Sequence, residues 1–163
     1  MKNNIKIPLT IIVSAIFYSS IALSTVAPKS CSSKEHRAFD FWIGEWTVAT
    51  KDKTKPPAKS SITLSNDGCS IHERYETPGG FSGNSINFYD AKNKKWHQTW
   101  IDNQGAPLYL DGEFKKGSMI LSDGVNRITW TLLKDGRVNQ RWDITKDKGK
   151  TWQTIFDGFY SKV

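Results

Sequence analysis

The stretch "GCSIHERYETPGGFSGNSINFYDAKNKKWHQTWIDNQG", residues 68–105, decides the fold. It holds three runs of alternating chemistry, at 69–76, 84–89 and 95–101, parted by "PGG", "DAKNK" and "DNQG". Pro, Gly, Asn and Asp clustered between apolar runs form tight turns, so the runs read as strands of hairpins. Within "CSIHERYE" one phase of the alternation is Ser70, His72, Arg74 and Glu76, all polar, and the other is Cys69, Ile71, Glu73 and Tyr75. Successive side chains of a strand point to opposite faces. The all-polar phase therefore faces water, and Glu73 goes inward with Ile71 and Tyr75.

Working outward, the same pattern recurs at 46–50, 60–64, 108–114, 118–121, 127–133, 138–144 and 151–156, with "NDG", "KKG", "SDG", "KDG" and "KDKGK" as further breaks. No window of helical period is long enough to compete. Short strands joined by tight hairpins make an antiparallel meander, and closing it into a barrel removes its two exposed edges. The expected fold is all-β, an antiparallel up-and-down barrel of roughly 8–10 strands. The exception lies upstream, in "SSKEHRAFDFWIG" (32–44). Ser32 and Glu35 have capping-box spacing, Phe39, Trp42 and Ile43 share one face, and Gly44 suits an exit. A short helix or 3₁₀ turn is predicted, closing one end of the barrel. Exposing Phe39, Phe41 and Trp42 together would be rare for a monomer, so these rings read as a plug.

The chain of 163 residues begins with "MKNNIK" and the uncharged run "IPLTIIVSAIFYSSIAL" up to "ALS" (22–24). Basic start, apolar middle and small-residue end are those of a secretory signal peptide. The rival, an uncleaved anchor, is disfavoured by Pro8, several serines and a length short of the ~20 apolar residues of a span. Cleavage falls after Ser24 or Ala27, and Pro28 at the exit of the second site favours the first. The reading is thus leader 1–24, arm 25–37 and β-barrel domain 38–163, with export to the periplasm or the extracellular space and no stable membrane insertion after cleavage. Cys31 follows "PKS", which does not suit a lipid anchor. An oxidising destination favours a Cys31–Cys69 disulfide over two buried thiols. Lacking suitably spaced histidines, the pair makes no zinc site, and no metal is expected. The formal charge is +7, of which the leader supplies two lysines; most of the rest sits in turn words such as "KDKTK" and "KDKGK". That distribution is of solvated turns rather than a nucleic-acid surface.

Several of these words together resemble a family. "FDFWIGEW" (39–46) with its Gly44-x-Trp46 opening, "GCSIHERYE", "YDAKNKKWHQTWID", "RITW", "DKGKTW" and "FDGFY" are similar to a mostly bacterial family of lipocalin-like domains of unknown function, within the wider calycins. The resemblance spans about 31–160. It implies a barrel around a cavity, and an Arg, here Arg141 or Arg127, covering the first-strand Trp. Related nitrobindin-like barrels bind haem through a C-terminal histidine; the last histidine here is His97, so no haem or other cofactor is expected. "TKDKGKTW" (145–152) also resembles the Asp-box of sialidase propellers. One copy cannot make a propeller, so it reads as a hairpin device. Asp147 would bond turn amides, Gly149 would take positive φ and Trp152 would pack below.

In "KWHQTWID" Trp96, Gln98, Trp100 and Asp102 share a face; in "VNQRWDI" Val138, Gln140, Trp142 and Ile144 oppose Asn139, Arg141 and Asp143. "INFYD" allows either phase, and Asn87 is placed inward to join the polar layer. The candidate ligand-binding set is Trp46, Glu73, Tyr75, Asn87, Gln98, Trp100, Asp102, Arg127, Gln140 and Trp142. An apolar interior with a few convergent polar groups suits a small, partly apolar ligand. Buried Glu73 needs Gln98, Gln140 or Arg127 as partner, or else holds a proton. Two alternatives stand beside a binding protein: an enzyme using Glu73 as acid or base, and a filled barrel acting through its exterior at the envelope. No nucleophile elbow, H-E-x-x-H or phosphate loop occurs, and His36, His72 and His97 fall on the arm or outer phases. A monomer or weak dimer is expected.

Overall fold

The computed structural model describes residues 30–163. The leader expected at 1–24 and the start of the arm lie outside the described residues. The chain runs through β1 (Gly44–Thr50), β2 (Ala58–Ser65), β3 (Ser70–Glu76), β4 (Ser82–Asp90), β5 (Lys95–Asp102), β6 (Pro107–Lys115), β7 (Ser118–Ser122), β8 (Asn126–Leu132), β9 (Val138–Ile144) and β10 (Gln153–Lys162). Each strand pairs antiparallel with the next, and β1 pairs with β10, so the sheet is a closed barrel. Among the described residues no helix is long and apolar enough to cross a membrane.

Every strand predicted from the alternation is present, and the largest departure is the last. The alternation was read only to 156, ahead of Asp157-Gly158, a pair that favours turns. Instead β10 runs on to Lys162, and β1 pairs only with its residues 158–162. A strand ending at 156 would leave the barrel open. Closure therefore overrides the local turn preference of Asp-Gly.

Of the helix or 3₁₀ turn predicted upstream, the 3₁₀ form is present and no α-helix is. From Ser30 to Phe39 the chain is a succession of turns, and regular structure is limited to the 3₁₀ turn Asp40–Trp42. The cap is also one residue later than expected: the Ser33 hydroxyl, not that of Ser32, accepts the His36 amide. Ile43 is extended (φ −65°, ψ 132°), which ends the turn and starts β1. The plug itself is as expected. Phe39 and Trp42 are fully buried and stacked at 4.9 Å, with Trp96 and Trp130 edge-on to Phe39 at 5.6 and 5.2 Å. Offset and edge-on aromatic pairs each add about 0.5–1.5 kcal/mol beyond their burial. The Trp96 and Trp46 indole N–H groups donate to the Glu35 and Trp42 carbonyls at 3.1 and 2.8 Å, tying the plug to β5 and β1.

The cation over the first-strand Trp is neither Arg127 nor Arg141. Lys162 at the end of β10 places its Nζ 4.3 Å from the Trp46 ring centre and donates to the Ile43 carbonyl at 2.6 Å. Both arginines instead bind Asp143 on the outside of the barrel.

Cys31 and Cys69 form a disulfide with Cα atoms 5.0 Å apart, closing 38 residues of chain. It fastens the plug to the β2–β3 connection, where Arg37 also donates to the Gly68 carbonyl. Chain entropy predicts that opening this loop costs about 4 kcal/mol. Guanidinium unfolding with and without reductant should show a loss of that size, and the Cys31→Ser/Cys69→Ser variant should match the reduced protein. Equal midpoints would mean that packing alone holds the plug.

Candidate functional site

The plug fills one half of the lumen, and the other half is hollow. A cavity of about 280 Å³ is bounded by the rings of Tyr75, Phe81, Trp100, Trp142 and Phe156 and by Leu108 and Ile128. Its polar wall consists of Glu73, Gln98, Gln140, Asp102 and Tyr160.

Two glycines explain why the rings line this space rather than fill it. Gly83 on β4 lies under the Trp100 ring, and Gly158 on β10 lies under the Phe156 ring. A Cβ at either position would overlap the ring. An aromatic side chain lying flat on a neighbouring glycine covers bare backbone and leaves the lumen free. Sequence reasoning passed over both glycines, although an isolated Gly within a strand pattern signals such a close approach.

At the inner end of the cavity the polar residues form one connected network, whose amide orientations follow from a fixed starting point. The Ile71 carbonyl only accepts, so the Asn87 amide nitrogen is turned to it at 3.1 Å and also donates to Ser85 Oγ at 2.9 Å. Asn87 Oδ1 then accepts from Gln98 Nε2 at 2.9 Å. Gln98 is nine-tenths buried or more, and its carbonyl oxygen is left without a protein donor. Ser85, receiving the Asn87 amide, donates its own proton to Glu73 Oε2 at 3.1 Å, while Ser60 donates to Oε1 at 3.0 Å. Tyr160 Oη lies 3.4 Å from Glu73 Oε1 and donates to Gln140 Oε1. One phenol proton cannot serve both acceptors. Tyr160 therefore donates to Gln140 or to Glu73, one at a time.

Burial favours the neutral form of Glu73. Burial, only partly offset by the hydrogen bonds from Ser60, Ser85 and Tyr160, pushes its pKa up to about 7. Burial and the Glu73 charge raise Tyr160 well above the phenol range, so it is neutral throughout.

Of the sequence-derived candidates, Glu73, Tyr75, Gln98, Trp100, Asp102, Gln140 and Trp142 share this cavity. Asn87 is fully buried behind it, orienting Gln98 and Ser85. Trp46 is not on the cavity; it packs against Tyr160 and under Lys162 in the plugged half. Arg127 is on the outer face, bonded to Asp143 at 3.0 Å and 4.0 Å above the Trp152 ring. Nor do Gln98, Gln140 or Arg127 hold Glu73; two serines and a tyrosine do. Ser85 shares the phase of Asn87 and was legible on that ground, whereas Tyr160 lay beyond the expected end of the last strand. The Asp-box is the hairpin device expected: Asp147 accepts from the Thr151 amide and hydroxyl at 2.8 and 2.6 Å, which with the Thr145 hydroxyl holds its pKa down to about 2. Among the described residues, no group of three or more His, Cys, Asp or Glu side chains is placed to hold a metal ion.

Fold and site together define a closed ten-stranded β-barrel with an aromatic-walled cavity. No protein-family model matches the chain, and no curated protein matches it. Chemistry must therefore be argued from the cavity itself.

A buried carboxyl with raised pKa makes folding stability depend on pH. Below pH ~4.5 both states hold the proton and nothing is lost. As pH rises through 4.5 to about 7 the unfolded state ionises first, so stability falls, by about 3 kcal/mol in full above pH 7. Urea unfolding at pH 5 and pH 8 should show this loss, and Glu73→Gln should remove most of it; an unchanged pH dependence in Glu73→Gln would place the titration elsewhere. Gly83→Ala should drive the Trp100 ring off its wall, quenching or shifting its fluorescence and costing roughly 1–3 kcal/mol as overpacking does.

Proposed function

We propose that the protein is an exported, calycin-like barrel that binds a small, partly apolar molecule non-covalently in the cavity above the Glu73 network. The observation that carries this reading is the hollow half-lumen, where rings held flat by glycine surround a few buried hydrogen-bonding groups. A volume of about 280 Å³ is at the small end of ligand sites, which run to ~300–1,000 Å³, so the ligand has few heavy atoms. The leader-like start of the chain and the disulfide support an oxidising destination, periplasmic or extracellular. Trp100 and Trp142 would supply stacking area, and Glu73, Gln98 and Gln140 polar recognition.

A second reading is favoured by one observation. A carboxyl with a pKa near 7, enclosed beside a cavity, is poised as a general acid or base, so the ligand could be a substrate. Turnover that survives Glu73→Ala would remove that reading.

Native mass spectrometry of protein purified from its own cell envelope tests the binding reading. The expected result is a stoichiometric non-covalent adduct of low mass, lost on denaturation. Trp142→Ala should lower its occupancy at equal concentration by roughly tenfold in affinity, about 1.4 kcal/mol. A clean apo mass together with failure to take up the apolar fluorophore N-phenyl-1-naphthylamine would return the barrel to a filled, structural role.

A further inference from the structure

The composition is basic, with 23 Lys and Arg against 16 Asp and Glu. Among the described residues the cavity reverses that balance: its lining holds two carboxyls, Glu73 and Asp102, and no Lys, Arg or His. Hydrogen-bonding polarity points the same way. The Ile71–Asn87–Gln98 chain leaves the Gln98 carbonyl as an acceptor without a protein donor. Asp102 uses Oδ1 to hold the Gln104 and Ala106 amides at the end of β5, so its position is fixed by the turn.

Tyr160 reaches both Glu73 Oε1 and Gln140 Oε1 with one proton. When that proton serves an ionised Glu73, the Gln140 carbonyl is a second acceptor open to a ligand. Ionised Glu73 faces Ser60 from β2, Ser85 from β4, Tyr160 from β10 and Tyr75 on its own strand, none of them cationic. A buried carboxylate without a cation is costly. Among the described residues facing it no cation is supplied, so Glu73 holds either a proton or a cation from outside the chain. Tyr75, Trp100 and Trp142 present the π-faces that attract an organic cation, and a primary ammonium carries three N–H donors.

We propose that the cavity is a site for a small primary amine in its protonated form, with the ammonium among Glu73, Gln98 and Gln140 and the apolar body against Trp100 and Trp142. This rests on the small-molecule reading above and names the class of ligand. A quaternary ammonium would leave the carbonyl acceptors unpaired, and an anion would meet two carboxyls and no cation. Because the amine binds the ionised form of Glu73, capture of one ammonium releases one proton.

The test compares 2-phenylethylamine with its near-isostere 2-phenylethanol by isothermal titration calorimetry. At pH 8 the amine should bind at least tenfold more tightly than the alcohol, a difference expected of a charge-assisted contact. With Glu73 titrating at about 7 and the amine protonated throughout, amine affinity should rise about tenfold between pH 6 and pH 8. At pH 6, titrations in buffers of different ionisation enthalpy should report close to one proton released. In Glu73→Gln, checked for cooperative unfolding, the affinities for amine and alcohol should converge. Should that variant fail to fold, the amine-to-alcohol ratio and the proton count on the unaltered protein decide. Alcohol bound as well as amine, or an amine preference that persists in folded Glu73→Gln, overturns the amine assignment. If N-phenyl-1-naphthylamine or the alcohol is still taken up in that case, the small-molecule reading stands; if none of the three is taken up, both readings fall.

Discussion

The pairing of β1 with residues 158–162 of β10 is the constraint on which the rest depends. It turns a meander with two open edges into a ring, and the ring fixes which phase of every strand looks inward. Interior volume is then set by strand number and tilt, and only inward side chains can fill it. On one side Phe39, Trp42, Trp46 and Trp130 fill it completely. On the other, two inward positions carry no side chain: Gly83 and Gly158. The cavity is the arithmetic difference between a lumen of fixed size and a set of side chains too small, or too flatly placed, to occupy it.

The polar residues within that lumen depend on the same closure. Glu73 is on β3, while its partners come from β2, β4 and β10, so no local hairpin could satisfy it. Shifting any of these strands by one residue would turn Glu73, Ser85 or Tyr160 to the outside and leave a buried group unpaired. The network thus specifies register. Its partners are all neutral hydroxyls, and hydroxyls soften the desolvation of a carboxylate without cancelling it. That is why Glu73 keeps its proton up to about pH 7.

Much of this was legible in the sequence because period-2 alternation survives any tertiary context. Glu73, Tyr75, Gln98, Trp100, Gln140 and Trp142 were placed inward from phase alone, and Asn87 from the need to complete a polar layer. Phase does not say how deep along the lumen a residue lies. Trp46 was grouped with the cavity for that reason, although its depth puts it among the plug rings. Arg127 was invoked because a buried acid invites a base; its own phase, opposite Ile128, already turned it outward. The segment upstream took the 3₁₀ turn rather than the helix of the two forms predicted, on a different ground. Capping and apolar spacing were suitable, but a segment this short gains little from helix propensity, and the disulfide, the Ile43 exit and ring stacking set its path instead.

Closure is also incomplete in one place, and that place adjoins the cavity. Residues 153–157 of β10 pair with β9 but have no partner on β1, so this part of the wall is an edge. Exposed edges invite pairing with other chains, and several devices guard this one. A bulge between Thr154 and Phe156 twists it away, Asp157 is bonded by Lys51 at 2.7 Å and by Asn139, and Thr154 donates to the buried Asp143 that Arg127 and Arg141 also hold. Phe156, flat on Gly158, is the cavity ring carried by this half-bonded segment. Backbone with one ladder opens at lower free energy than backbone with two. The wall at Phe156 is accordingly the part of the cavity lining held by the fewest backbone hydrogen bonds, and the ion pairs outside it make up part of that deficit.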